Sequence, residues 1–367
     1  MLFHSSLRKE LARSFGATLV VLVTIVMTMT LIRTLAQANR GSVNPQEVLM
    51  VMGYTVLGYL PPVLTMSLFI AIVGTLSRMY TDSEMVIWFS AGRGLFALVR
   101  PLFGFAWPIL AAVAVLALVV WPWANQQTQD LRDRYGSRGD LERVAPGQFQ
   151  ESASGTRVFF LDKDTPDNKS GKNIFISTME RGRQTITSAR TGRVVTEGDS
   201  QFLLLSNGQR VESTTDGRDL RVSEFGQLGN RVGASDVGPQ DNVPAKTLST
   251  PRLLLDPTRA NLGELAWRLG MAFAALNFIV IAVTVSSVNP RAGRSGNLVF
   301  ALFAFVVYYN LLNLGQSWIS GGRAAFLPFM LLLHGGALGI ALLWLAKQHN
   351  NWAWPRRHRA AIKGSGA

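Results

Sequence analysis

The sequence has no cysteine, only four histidines in 367 residues, and a charged share of just 16%. Without cysteine it can form no disulfide, thiol nucleophile, iron–sulfur cluster or thiolate zinc site. So few charges fall well short of the quarter or so usual in a soluble domain. Signatures of nucleotide chemistry are missing too. There is no Walker A sequence, so the chain holds no ATP in a P-loop, and Gly92-Arg93-Gly94 lacks a third glycine at dinucleotide-loop spacing. Neither His-Glu-x-x-His nor Gly-x-Ser-x-Gly occurs. No catalytic constellation is present, and an enzyme is not expected.

What the chain does have is apolar length. Six runs, at about 15–36, 51–76, 102–123, 267–288, 298–319 and 326–346, reach the roughly 20 residues that cross about 30 Å of hydrocarbon. Pro61, Pro62 and Pro108 lie inside these runs, which a helix bundle in lipid tolerates. Tryptophans gather at the ends (Trp121, Trp123, Trp267, Trp318, Trp344, Trp352, Trp354) as an interfacial belt would. With the N-terminus inside, the short inner segments carry thirteen Lys and Arg, and the outer ones only Arg33, Arg40 and Arg323. The positive-inside bias therefore places both termini in the cytoplasm. The basic start, apolar run and Ala36-Gln37-Ala38 also read as a cleavable signal peptide, but the span-sized length favours retention.

Between the third and fourth runs lies a polar block, 124–266, expected outside. Alternating stretches at 157–162, 173–178, 184–188, 193–196, 201–206, 209–213 and 220–225 predict short strands of an all-β sandwich or barrel. Asn207-Gly208 is its strongest hairpin signal. Residues 226–249, rich in Gly and Pro, read as a long loop back to the membrane. The block holds nineteen basic and nineteen acidic residues, so the whole excess of +13 belongs to the membrane part. The positive-inside rule and anionic lipid account for that excess, and nucleic acid is not a partner.

The loop after the second run is the most informative. Thr81 and Glu84 form a T-x-x-E capping box, Met85, Trp88 and Phe89 share one helical face, and Gly92 is a stop. This predicts a short amphipathic helix on the cytoplasmic surface, either resting on lipid headgroups or docking a soluble partner. Arg33, near the outer end of the first run, either snorkels to headgroups or holds an anion at a cavity mouth. His334 and the face Asn310, Asn313, Ser317 are expected to hydrogen-bond between helices, with a polar path or substrate lining as the other reading.

Three spans, an outer β domain and three further spans, with the loops Tyr80-Thr81-Asp82-Ser83-Glu84, Pro146-Gly147-Gln148-Phe149-Gln150 and Ser287-Val288-Asn289-Pro290-Arg291-Ala292-Gly293-Arg294, resemble the lipopolysaccharide-export permease family of the LptF/LptG type. The resemblance runs over essentially the whole chain. It implies an ABC transporter permease in the bacterial inner membrane, with spans in 1–123 and 267–367 and a periplasmic β-jellyroll domain in 124–266. It implies a heterodimer with the sister permease LptG, two copies of the ATPase LptB, which would bind ATP and magnesium, and the single-span LptC. This chain would carry no cofactor of its own. The helix near 81–92 would be the coupling helix, offering Asp82, Glu84, Met85, Trp88, Phe89 and Gly92 to the ATPase. Arg33 would lie near the phosphorylated head of the lipid. Asn289, Pro290, Arg291, Gly293 and Arg294 form the cytoplasmic loop motif, and Gly147, Gln148 and Phe149 open the periplasmic domain. Two other classes remain for comparison: a membrane-anchored periplasmic sensor or adaptor, which needs a cytoplasmic output domain, and an intramembrane enzyme, which needs acid or His clusters in the spans.

Overall fold

The computed structural model describes residues 2–39, 42–92, 94–137, 149–151, 157–160, 162, 170–180, 183–197, 200–214, 220–231, 243–286 and 293–349. Among these, six helical stretches are long and apolar enough to cross a membrane: Ser6–Asn39, Pro45–Thr81, Phe96–Tyr135, Arg259–Ser286, Gly296–Ser320 and Phe326–His349. Each overlaps one of the six apolar runs. In chain order the elements are α1 (Leu2–Asn39), α2 (Val48–Thr81), α3 (Glu84–Ser90), α4 (Phe96–Val115) and α5 (Trp121–Ser137), then six strands, then α6 (Thr250–Leu255), α7 (Arg259–Ser286), α8 (Gly293–Ser320), α9 (Phe326–Met330) and α10 (Gly336–His349). Single π-turns, Leu116–Val120 and Leu331–Gly335, join α4 to α5 and α9 to α10. The chain divides into two compact units, Met1–Ile25 with Gly58–Pro122 and Leu248–Ala367, and Val26–Leu57 with Trp123–Thr247.

The first unit is a helix bundle centred on α7, the most buried of the spans. Phe278 lies at its middle, its ring 4.6 Å from Phe69, 5.3 Å from Phe305 and 5.1 Å from Tyr308. Small residues let the backbones close up. A Cβ on Gly263 would sit 2.0 Å from Ser320 Oγ, and one on Gly270 2.4 Å from Leu312. Pro61 and Pro62 lie inside α2, and Pro101 and Pro108 inside α4, without ending either helix.

Several polar groups in the spans find partners across helices. His334 Nδ1 lies 2.8 Å from Tyr308 Oη, and Asn277 Nδ2 donates to Tyr308 Oη and to the His334 carbonyl, both at 2.9 Å. Asn313 accepts from Trp267 Nε1 at 3.0 Å, whereas exposed Asn310 donates to Val306 O of its own helix. Within this chain, Asn313 of that face bonds across helices, as expected, and Asn310 bonds back to its own helix. Trp267 corrects the belt as well. It is 4% exposed and its ring lies 4.6 Å from Trp121, because protein partners and not headgroups receive its polar edge. The fourth helix also begins earlier than its apolar run, so Glu264, grouped with the polar block by composition, is a helical residue ion-paired at 2.9 Å to fully buried Arg268.

In the second unit, Val43, Val48 and Val51 form a small core with Ala38 and Leu131, and Arg132 donates to Gln37 at 3.1 Å. The strands are β1 (Gln150–Glu151), β2 (Arg157–Phe160), β3 (Ser170–Glu180), β4 (Arg183–Glu197), β5 (Ser200–Thr214) and β6 (Leu220–Arg231), forming one antiparallel sheet in sequential order. Two corrections follow. The stretches 184–188 and 193–196 are one strand, as are 201–206 and 209–213, so Asn207-Gly208 is the middle of β5 and not a hairpin. Residues 226–231, read as loop, complete β6.

Both corrections have one cause. Pairing is interrupted along a line across the sheet, where Asn173, Arg190, Asn207 and Gly226 meet, and it resumes in the same register on either side. Asn173 and Asn207 take left-handed backbone there, with φ of 48° and 55°. Asn tolerates that conformation better than most residues. The inward positions then jump by three instead of two, from Gly171 to Ile174, Ala189 to Gly192, Leu205 to Gly208 and Phe225 to Leu228. Period-2 alternation changes phase at the line, which cuts each long strand in two for a reader of the sequence.

Candidate functional site

The loop at the end of α2 is built around Arg78. Its guanidinium donates from Nη1 to Asp82 at 2.8 Å and to Glu84 at 2.7 Å, and from Nη2 to Glu10 of α1 at 2.6 Å; Nε also bonds Glu10. Outside 124–266 the chain has only four carboxylates, Glu10, Glu47, Asp82 and Glu84. Three of them converge on this one arginine. The groups are partly exposed, so screening keeps the energy of each pair to about 1 kcal/mol or less, and its main effect is geometric.

The capping box is replaced by this cluster. Thr81 Oγ1 donates back to Ser77 O within α2, and Ser83, which precedes α3, has φ of 60° and makes no side-chain cap. Glu84 is drawn to Arg78 instead of to a backbone amide. Gly92 is the stop expected of it: with φ of 74° it donates its amide to Phe89 O at 2.9 Å.

The face of α3 also divides differently. Met85 and Trp88 are 1% and 5% exposed and enter the core formed by Leu76, Met79, Leu95 and Leu98. Val86, Ile87 and Phe89 are 64%, 72% and 42% exposed. Met85 and Trp88 therefore anchor the helix, while Val86, Ile87 and Phe89, flanked by Asp82 and Glu84, form what it presents outward. The sequence reading missed Glu10, Arg78, Val86 and Ile87. The i,i+4 spacing of Arg78 and Asp82 was the one local signal available for the cluster.

Arg33 is an exposed residue of α1, between Thr30 and Thr34, which are buried. Phe149 is 68% exposed and its ring lies 4.7 Å from Phe160 and 6.2 Å from Phe175, at the start of the sheet. Gly147 and Gln148, like Asn289, Pro290 and Arg291, fall outside the described residues. Gly293 and Arg294 begin the backbone of α8.

Six apolar helices of spanning length, a β-rich segment and a short loop helix after the second of them are the features of a multi-pass membrane protein. Residues 6–347 match the family model of the lipopolysaccharide export system permease LptF/LptG, and the chain belongs to that family. It is similar along its whole length to the lipopolysaccharide export system permease protein LptF of Escherichia coli K12, with 26% identity over 379 aligned positions that cover 100% of each chain. The proteins of that name from Escherichia coli O157:H7 and Shigella flexneri match to the same extent.

Proposed function

We propose that the chain is the permease subunit of an ABC transporter that extracts lipopolysaccharide from the outer leaflet of the bacterial inner membrane and passes it to a periplasmic bridge. Membership of the permease family over residues 6–347 carries this reading. The sheet belongs to a periplasmic jellyroll domain, and both termini are cytoplasmic, in line with the bias of Lys and Arg in the short loops. The partners are the sister permease LptG, two copies of the ATPase LptB, and LptC.

The two permeases enclose a cavity open to the outer leaflet. Lipopolysaccharide enters laterally, its acyl chains on apolar walls and its phosphates near Arg33, where a guanidinium suits a phosphate. ATP and magnesium belong to the ATPase, and this chain takes no cofactor. Closure of the ATPase dimer is felt at α3. Val86, Ile87 and Phe89 supply the apolar contact, Asp82 and Glu84 the charge, and Met85 and Trp88 tie the helix to its own bundle. A rigid lever transmits displacement better than a loop held only by its ends. The cavity then narrows and the lipid moves toward the β domain.

Affinity purification of the tagged chain in mild detergent tests the assembly. Co-purification of an ATPase and a second six-span permease is expected. A membrane-anchored sensor or adaptor predicts a stable homo-oligomer without an ATPase.

A further inference from the structure

The bundle holds one buried ion pair that the transport cycle above does not use. Arg268 on α7 is 0% exposed, and its Nε donates to Glu264 Oε1 at 2.9 Å. Its Nη1 reaches off the helix to Leu248 O at 2.9 Å and Thr250 Oγ1 at 3.0 Å, in the strap 248–255 that returns the chain from the β domain. Thr250 Oγ1 donates in turn to Leu118 O, within the π-turn of the third span. Glu264 accepts from Trp121 Nε1 at 2.8 Å and, through its other oxygen, from Gln316 Nε2 of α8 at 2.9 Å. A single pair thus ties the third, fourth and fifth spans to the strap.

Charges inside a spanning helix are costly unless paired, and such residues mark function more often than packing. Leu253 is fully buried, but Leu254 and Leu255 are 62% and 84% exposed, and α6 is only six residues long. The π-turn matters because such turns are frequent at functional sites.

We propose that Glu264 and Arg268 form a joint that positions the strap, so that displacement of the spans is delivered to the segment leading into the β domain. This rests on the export reading above. The neutral pair E264Q/R268M strands no charge, and T250V removes the hydroxyl that links Arg268 to Leu118 O while leaving the ion pair and the Leu248 O contact intact.

Two measurements decide it. Amide hydrogen exchange over 248–255 in the detergent-purified chain is expected to be at least tenfold faster in both variants, with α2 unchanged; equal rates in T250V and wild type would overturn the joint. In proteoliposomes holding the full complex, lipopolysaccharide transfer to a soluble periplasmic acceptor is expected to fall at least fivefold while ATP hydrolysis stays within twofold. Transfer that falls only in step with hydrolysis, or does not fall, contradicts the joint. If E264Q/R268M fails to assemble, T250V alone carries both arms. A wild-type complex that moves no lipid contradicts the export reading, and the exchange arm then decides the joint.

Discussion

Glu84 bonds Arg78 and has no role as a cap, so charge reversal at this position acts on two contacts. Glu84→Lys places two cations together beside Asp82 and removes the carboxylate that, under the proposed function, meets the ATPase. The expected outcome is loss of lipid-stimulated ATP hydrolysis and weaker recovery of the ATPase on purification; unchanged stimulation would remove Glu84 from the coupling role. Neighbouring residues on α3 separate stability from coupling. Trp88→Ala opens a core cavity and is expected to destabilise the bundle by about 3–5 kcal/mol, read as a lower unfolding temperature in detergent. Ile87→Ala is expected to shift stability by only about 0.5 kcal/mol, as at other exposed positions, while reducing ATPase recovery. The residue types of this loop were legible from sequence, as was the stop at Gly92. Which of Met85, Val86, Ile87 and Trp88 points inward was not, because a seven-residue helix of mostly apolar residues offers two possible faces and only the bundle chooses. Glu10 lies 68 positions from Arg78, and no local pattern joins them.

At the scale of elements, the spans were legible because a membrane permits few alternatives: length and apolarity fix them. Their polar ends were less so. Composition assigned Glu264 to the polar block, whereas the pairing that lets it enter α7 comes from Arg268, Trp121 and Gln316 on three different helices. The sheet shows a second kind of loss. Its strands follow period 2 only up to the line through Asn173, Arg190, Asn207 and Gly226, and the change of phase there imitates a turn. Gly208 lies next to that line, where a Cβ would come within 2.2 Å of Ser188 O and 2.6 Å of the Phe225 ring. Gly208→Val is expected to destabilise the second unit by about 1–3 kcal/mol, measurable as faster proteolysis of the polar block. Were Asn207-Gly208 a hairpin tip instead, that substitution would be tolerated in its side-chain volume and would act only through backbone conformation.

At the scale of the molecule, charge is partitioned. The β-rich block is balanced, and the +13 belongs to the membrane part. Three of the four carboxylates outside the block gather on Arg78, so the loop at the end of α2 concentrates acidic charge within an otherwise basic membrane part. Arg33, by contrast, sits among the few cations expected on the outer side, where it would meet lipid phosphate. Arg33→Ala is expected to reduce photocrosslinking of the complex to lipopolysaccharide several-fold while leaving basal ATP hydrolysis in place. Equal crosslinking would assign Arg33 to the headgroup region alone. If this chain moves lipopolysaccharide with energy from a separate ATPase, transfer can be followed from proteoliposomes containing the chain, its sister permease and the ATPase to a soluble periplasmic acceptor. Transfer is expected to require ATP and to stop when the ATPase carries an inactive site; transfer at the same rate without ATP, or none with an active ATPase and both permeases present, would overturn the export function.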